Sequence, residues 1–299
     1  MKAIKKSYIQ QGGRDRMEDQ HMSDIRNRIK ASISQNSYKG FVNDRGCIIV
    51  CTEMMSIIQV ARININPRRT FDIYIIVLIE AVKLFFHADG TSGTITEVIQ
   101  GCIKGIGNIC RDADEYNQNY YFESIIKSVQ IRAFHDWPDY GYKLLRHAVC
   151  LINNQKQANR IFDVFSILGK MFDGKDYADK FVIIHGIVER MEGREAADKY
   201  LMDNLHVAEI RMIAVDKLLG KGNYIVAEAL CVEALQKTRR KYLNRPTIWA
   251  YYLEKIYTDT ANKEKLIEIY YHNIFHGDMS YIKKLKELYQ NEEAFISNG

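Results

Sequence analysis

Proline is almost missing from this chain: Pro67, Pro138 and Pro246 are the only three in 299 residues. An all-β fold needs frequent turn residues, so this scarcity argues for long helices. Long apolar runs are missing too. The longest, Ile73 to Ile79, stops at Glu80, far short of the roughly 18 residues that a membrane span needs. Near the N-terminus Lys2, Lys5 and Lys6 are followed by Gln10, Gln11, Arg14 and Asp15, where a secretory signal would carry its apolar stretch. The six cysteines (47, 51, 102, 110, 150 and 231) are scattered through apolar segments, as reduced buried thiols are. These absences lead us to expect a cytoplasmic protein with no membrane partner. At 47% hydrophobic and 26% charged residues, the composition excludes wholesale disorder, and the length suits two domains better than one.

Patterns that carry chemistry are equally scarce. No G-x-x-x-x-G-K-[ST] or G-x-S-x-G string occurs. Gly101, Gly105 and Gly107 lie inside a helical pattern rather than after a strand, so they read as small residues that admit close helix packing. Cys47 and Cys51 share one side of a helix, but no second pair completes a metal site. His272 and His276 also share a helix side. Asn273 stands where a metalloprotease helix has glutamate, and a third ligand would have to come from Glu268 or Asp278. The Asp89–Gly93 segment starts like a calcium loop, but Gln100 holds the twelfth position in place of a bidentate glutamate. Residues 13–21 (GRDRMEDQH) resemble an early motif of metal-dependent serine/threonine phosphatases. The β-sandwich and later metal-binding elements of that fold are missing. We therefore expect no catalytic residues, no metal, no cofactor and no enzyme.

What is present is helical periodicity. Residues 1–20, with Gly12-Gly13 and dense charge, read as a loosely ordered basic arm. Residues 1–30 hold Lys2, Lys5, Lys6, Arg14, Arg16, Arg26, Arg28 and Lys30 against Asp15, Glu18, Asp19 and Asp24, which accounts for most of the net charge of +5. Residues 21–173 form an N-terminal helical domain in this reading, and 174–299 a C-terminal one. Asp44 is the expected cap of a helix with Ile48, Cys51, Met55 and Ile58 on one stripe. Asn66-Pro67 reads as a cap followed by proline in the first helical turn. The helix after it is apolar on nearly every side, so it belongs inside a helical layer. Further helices are expected near 94–111, 116–135, 139–152 and 154–172.

In the C-terminal part, Gly222-Asn223-Tyr224 is followed by Ala227 and Ala234, seven residues apart. This resembles the second half of a tetratricopeptide repeat: glycine closes the turn, and the alanines share a face that neighbouring helices approach closely. A weaker copy starts at Glu192-Gly193, and Ala261-Asn262 takes the equivalent place in the next pair without glycine. The fold class expected is all-α, an α-solenoid of stacked antiparallel helix pairs.

Three strings, Gly40-Phe41-Val42-Asn43, Asp89-Gly90-Thr91-Ser92-Gly93 and Tyr281 to Lys286, resemble in their order the helical region that follows the zinc module of bacterial SWIM zinc finger proteins. The C-x-C and C-x-H pairs of that module do not occur here. The resemblance thus implies a helical scaffold and carries over no zinc site.

Together these readings point to a scaffold that binds a protein or peptide in a concave groove, with an acidic segment favoured. The first helices of the C-terminal pairs, about 178–191, 208–219 and 247–258, would line the groove. They offer Arg190, Arg211, Lys217, Tyr251, Tyr252 and Lys255 as partner-binding residues. Other candidate aromatic anchors are Tyr224, Trp249, Tyr270 and Tyr271. The alternative is nucleic-acid binding through the basic arm and Lys237, Arg239, Arg240, Lys241 and Arg245.

Overall fold

The computed structural model describes residues 20–63, 66–238 and 246–297, with side chains up to residue 290. Residues 1–19 of the expected basic arm lie outside the described residues, and residue 20 already belongs to the first helix. Well over two-thirds of those described are helical, and the strands are confined to one short hairpin, so the chain is all-α. It divides into two compact units, one up to Ala197 and one from Asp198.

The first unit opens with α1 (residues 20–35). A hairpin follows, β1 (Ser37–Tyr38) paired antiparallel with β2 (Phe41–Val42). Lys39 and Gly40 turn it with positive φ of 51° and 82°. The Gly40–Asn43 string is thus half a hairpin and a cap rather than a plain helix start. The true cap of α2 (Asp44–Arg62) is Asn43, whose Oδ1 accepts the Gly46 N–H at 2.8 Å. Asp44 is the first helical residue. The expected stripe of α2 is rotated accordingly: Cys47, Val50, Cys51, Met54 and Ile58 are buried, whereas Ile48 is exposed.

α3 (Pro67–Leu84) begins as expected, with Asn66 Oδ1 accepting the Arg69 N–H and proline in the first turn. From Ile73 to Val82 every residue is buried. α2, α4 (Thr94–Arg111), α5 (Glu115–Val129) and α6 (Arg132–Asp136) pack around α3. Glu80 is the one carboxylate in that buried stretch. It is held by Lys83 at 2.9 Å and Arg26 at 3.9 Å, the pairing that a buried charge requires. Two of the three α4 glycines serve close packing. A Cβ on Gly105 would lie 2.6 Å from the Tyr74 ring, and one on Gly107 would overlap the His147 ring. Gly101 has open space in front of it.

The single helix expected over 116–135 is two, because Ile131 takes an extended conformation (ψ 136°) ahead of α6. Pro138 starts α7 (Pro138–Leu145), whose continuation tightens into a 3-10 helix, Arg146–Leu151. α8 (Gln155–Leu168) stops earlier than expected, at Gly169 with φ 75°, and the Gly169 carbonyl accepts the Tyr142 hydroxyl at 2.9 Å. α9 (Ala178–Met191) packs on α7, α8 and the 3-10 helix through Ile183 and Ile187, which join the same core. For that reason the division of the chain falls inside α10 (Arg194–Asp203), later than the expected boundary at 173/174.

The second unit contains α11 (Ala208–Gly220), α12 (Tyr224–Thr238), α13 (Ile248–Asp259), α14 (Lys263–Phe275) and α15 (Tyr281–Ser297). Within this set each helix packs chiefly on its neighbours in the chain: α11 on α12, α12 on α13, α13 on α14 and α14 on α15. Ala227 and Ala234 are buried, as the seven-residue spacing predicts. Three turns close in the same way. The N–H groups of Asn223, Asn262 and Asp278 reach back five residues to the carbonyls of Leu218, Tyr257 and Asn273, at 2.9, 2.9 and 3.0 Å. The residue before each donor has positive φ: Gly222 (70°), Ala261 (51°) and Gly277 (93°). This left-handed helix stop favours glycine, and Ala261 adopts it against its own steric preference.

Candidate functional site

In the second unit the sequence expectation centres on α11 and α13. On α13, Ile248, Tyr251 and Lys255 follow at spacings of three and four residues, so they share one helix face. All three are exposed. Trp249, Ala250, Leu253, Ile256 and Tyr257 are buried on the other side. Tyr252 is half-buried. Its hydroxyl donates to Asp216 Oδ1 on α11 at 3.0 Å, and its ring stacks on Trp249 at 6.1 Å. Burial, reinforced by the Asp216 carboxylate, pushes the Tyr252 hydroxyl up to about 12. It therefore stays protonated and acts as a donor, not as a base.

Tyr251 is 39% exposed and its hydroxyl lies 3.4 Å from Asp278 Oδ2. The hydroxyl is thus anchored while much of the ring faces solvent. Lys217 pairs with Asp198 at 3.0 Å, and Lys221 joins the same carboxylate at 3.1 Å. The two ammonium groups hold the Asp198 carboxyl below its usual range. With Leu201, Met202, Ala214 and Leu218 these residues line a depression of about 110 Å³.

Arg211 overturns its expectation. It is only 5% exposed, because its guanidinium donates to the carbonyls of Leu205 and Leu230, both at 2.9 Å, and to Glu233 at 3.2 Å. It joins the loop before α11 to α12 and cannot meet a ligand on the surface. Arg190 belongs to the first unit, where it donates to the Ile152 carbonyl and to Asn153 Oδ1. Of the basic groove residues expected here, Lys255 alone is both in the second unit and exposed. Among the other aromatic anchors, Trp249 and Tyr270 are buried, Tyr224 is half-buried and Tyr271 is exposed.

The polar framework of this unit escaped sequence reasoning. Glu228 on α12 accepts from Tyr257 on α13 (3.0 Å) and from Lys265 on α14 (2.5 Å). Glu254 on α13 accepts from Tyr281 and, at 2.7 Å, from Lys284, both on α15. In each case the lysine ammonium also stands over the tyrosine ring, at 5.6 and 4.1 Å. Each carboxylate thus joins an aromatic hydroxyl and an ammonium from other helices, an arrangement worth more than its separate pairs. Nothing in the local sequence marks these acids, since their partners lie about 30 residues away.

The nucleic-acid alternative finds Lys237 paired with Glu233 one turn back. Arg239, Arg240, Lys241 and Arg245 lie outside the described residues. Among the described residues no three His, Cys, Asp or Glu side chains group as metal ligands. The His272 and His276 rings are 4.4 Å apart. Cys47 and Cys51 bring their sulfurs to 4.0 Å, and burial pushes the Cys51 thiol up to about 12, so it stays protonated. No helix among the described residues is long and apolar enough to cross a membrane.

Comparison of the chain with protein-family models, with curated proteins and with solved structures finds no match.

Proposed function

We propose that the second unit is a tetratricopeptide-like stack of helix pairs, and that the chain is a non-enzymatic scaffold holding a segment of a partner protein along α13. The exposed Ile248–Tyr251–Lys255 stripe carries this reading. It combines an apolar side chain, an aromatic ring fixed at its hydroxyl end and a cation, the mixture that dominates protein recognition surfaces. The recurrent turn closure and the helix-to-neighbour packing support the repeat assignment. With Arg211 buried and Lys217 neutralised, the partner segment needs an apolar side chain first and an acidic one second, to meet Lys255. A scaffold built from helix pairs is also what the resemblance to the SWIM-associated helical region implies.

The test places a photo-crosslinking phenylalanine analogue at position 251, with a second probe at exposed Asp203 as a control. Crosslinking to a defined polypeptide from position 251, competed by the unlabelled protein and lost in Ile248→Ala/Lys255→Glu, is the expected result. Equal capture from both positions, or capture unchanged in the double variant, sinks the α13 assignment.

A further inference from the structure

A cleft of about 510 Å³ opens in the first unit between the end of α2, the start of α3 and the outer face of α4. Its size is that of a small-molecule site, for which roughly 300–1,000 Å³ is typical. Arg62, Lys104 and Asn108 supply its polar groups, and Pro67 and Ile109 its apolar walls. No carboxylate lines it. Glu97 and Asp112 lie beyond either end of the lining segment of α4.

Three details make this more than a dent between helices. Arg62 is steered by the Tyr74 hydroxyl, 3.4 Å from its Nε. Among the described residues neither Arg62 nor Lys104 is in an ion pair, so both charges face the cleft without a carboxylate of their own. Lys104 and Asn108 are four residues apart on one face of α4, and so are Gly101 and Gly105, so the donors and the glycine floor run side by side. Gly105 is needed for packing against Tyr74, but a Cβ at Gly101 would meet nothing within 4 Å. The space above Gly101 is therefore cleft, not contact.

We propose that this cleft binds the phosphoryl group of a small phosphomonoester. Two cations match one phosphoryl group of about −1.5 to −2 charge. The Arg62 fork and the Lys104 ammonium take its oxygens, the Asn108 amide donates a further hydrogen bond, and the organic part rests on Pro67 and Ile109. Nucleic acid is disfavoured, because two cations at a bounded cleft neutralise only about two phosphates. The site is independent of the partner surface on α13.

The experiment titrates the full chain with phenyl phosphate, with phenol and with a single-stranded oligonucleotide, by calorimetry at low ionic strength. Phenyl phosphate is expected to bind with one-to-one stoichiometry and phenol not to bind. Arg62→Ala and Lys104→Ala should each weaken phenyl phosphate about tenfold or more, the loss of one charge-assisted hydrogen bond. Gly101→Leu fills the cleft from its floor and should abolish binding. Its melting temperature should be no lower than that of the wild type, since glycine inside a helix is replaced where there is room. Phenyl phosphate binding that is undetectable, that matches phenol, or that survives Gly101→Leu overturns the proposal. So does an oligonucleotide whose affinity exceeds that of phenyl phosphate and falls in the same variants.

Discussion

The two units hold themselves together by different means. In the first, α3 is wrapped on nearly every side by aliphatic and aromatic groups, and its one carboxylate in that stretch is neutralised on the spot. In the second, the helices bury narrower faces, and carboxylates shared between tyrosine hydroxyls and lysines tie α12 to α13 and α14, and α13 to α15. Burial of apolar area is non-directional and tolerates some misplacement. Shared carboxylates are directional and fix the register of one helix on the next. The first unit thus has the character of a packed core, and the second that of helices latched to one another at fixed points.

The most damaging way to break the contrast lies in the first unit. Phe71 is fully buried and its ring centre lies 4.5 Å from that of Tyr121. Phe71→Ala should cost about 3–5 kcal/mol, read as a lower urea midpoint for the near-ultraviolet signal. A loss below about 1 kcal/mol would show that this core is loosely filled.

Acid should separate the units next. His147, half-buried against Gly107, has its imidazole lowered to about 4 by burial and by Arg146 and Arg111. Its neutral form is the one that the fold favours. The stability it contributes is therefore complete above the unfolded value near 6.5 and is lost progressively as pH falls from there to about 4. The full effect is up to about 3 kcal/mol at 1.36 kcal/mol per unit. The carboxyl of Asp198, held below 3.8 by Lys217 and Lys221, gives up its contribution only at lower pH. Urea midpoints measured from neutrality down to pH 4 should fall in the wild type and stay flatter in His147→Gln. Parallel curves would place the acid sensitivity elsewhere.

In the second unit, Glu254→Ala leaves the hydroxyl of Tyr281, a residue 2% exposed, without its acceptor and releases Lys284. A loss of about 1–3 kcal/mol is expected, together with faster amide exchange in α15. Exchange unchanged in α15 would show that the carboxylate is not what holds that helix. The smallest effect has the opposite sign. Ala261→Gly relieves the left-handed conformation at that turn and should raise stability by about 0.5–1 kcal/mol; a decrease would mean that the turn is not strained.

Sequence periodicity located the long helices well, because burial on one face repeats in the chain itself. The Asn66-Pro67 start, the 94–111 helix and the 178–191 helix all follow from local signals. The hairpin at 37–42 left no such trace, since two-residue strands have no period to read. Arg211 looked like surface because arginine usually is, and only the carbonyls of Leu205 and Leu230, brought close by the fold, explain its burial. The chain's 19 tyrosines are plain in the sequence, but their use is not. The hydroxyls of Tyr257 and Tyr281 serve carboxylates on other helices, and those pairings are set by tertiary geometry alone. The cleft on α4 was invisible for a related reason: Gly101 and Gly105 have the same spacing signal but opposite surroundings.

The all-round burial of α3 also bears on how the chain is made. Its Ile73–Ile79 stretch, rich in β-branched residues and free of charge, has the composition of a strand that stacks with its own copies when left uncovered. During synthesis α2 precedes it, but α4 and α5 emerge later, so the segment waits for its cover. A fragment ending between α3 and α4 should therefore aggregate on expression, whereas one that extends through α9 carries every helix of that core. Boundaries for producing pieces of this protein follow from that single helix more than from any loop.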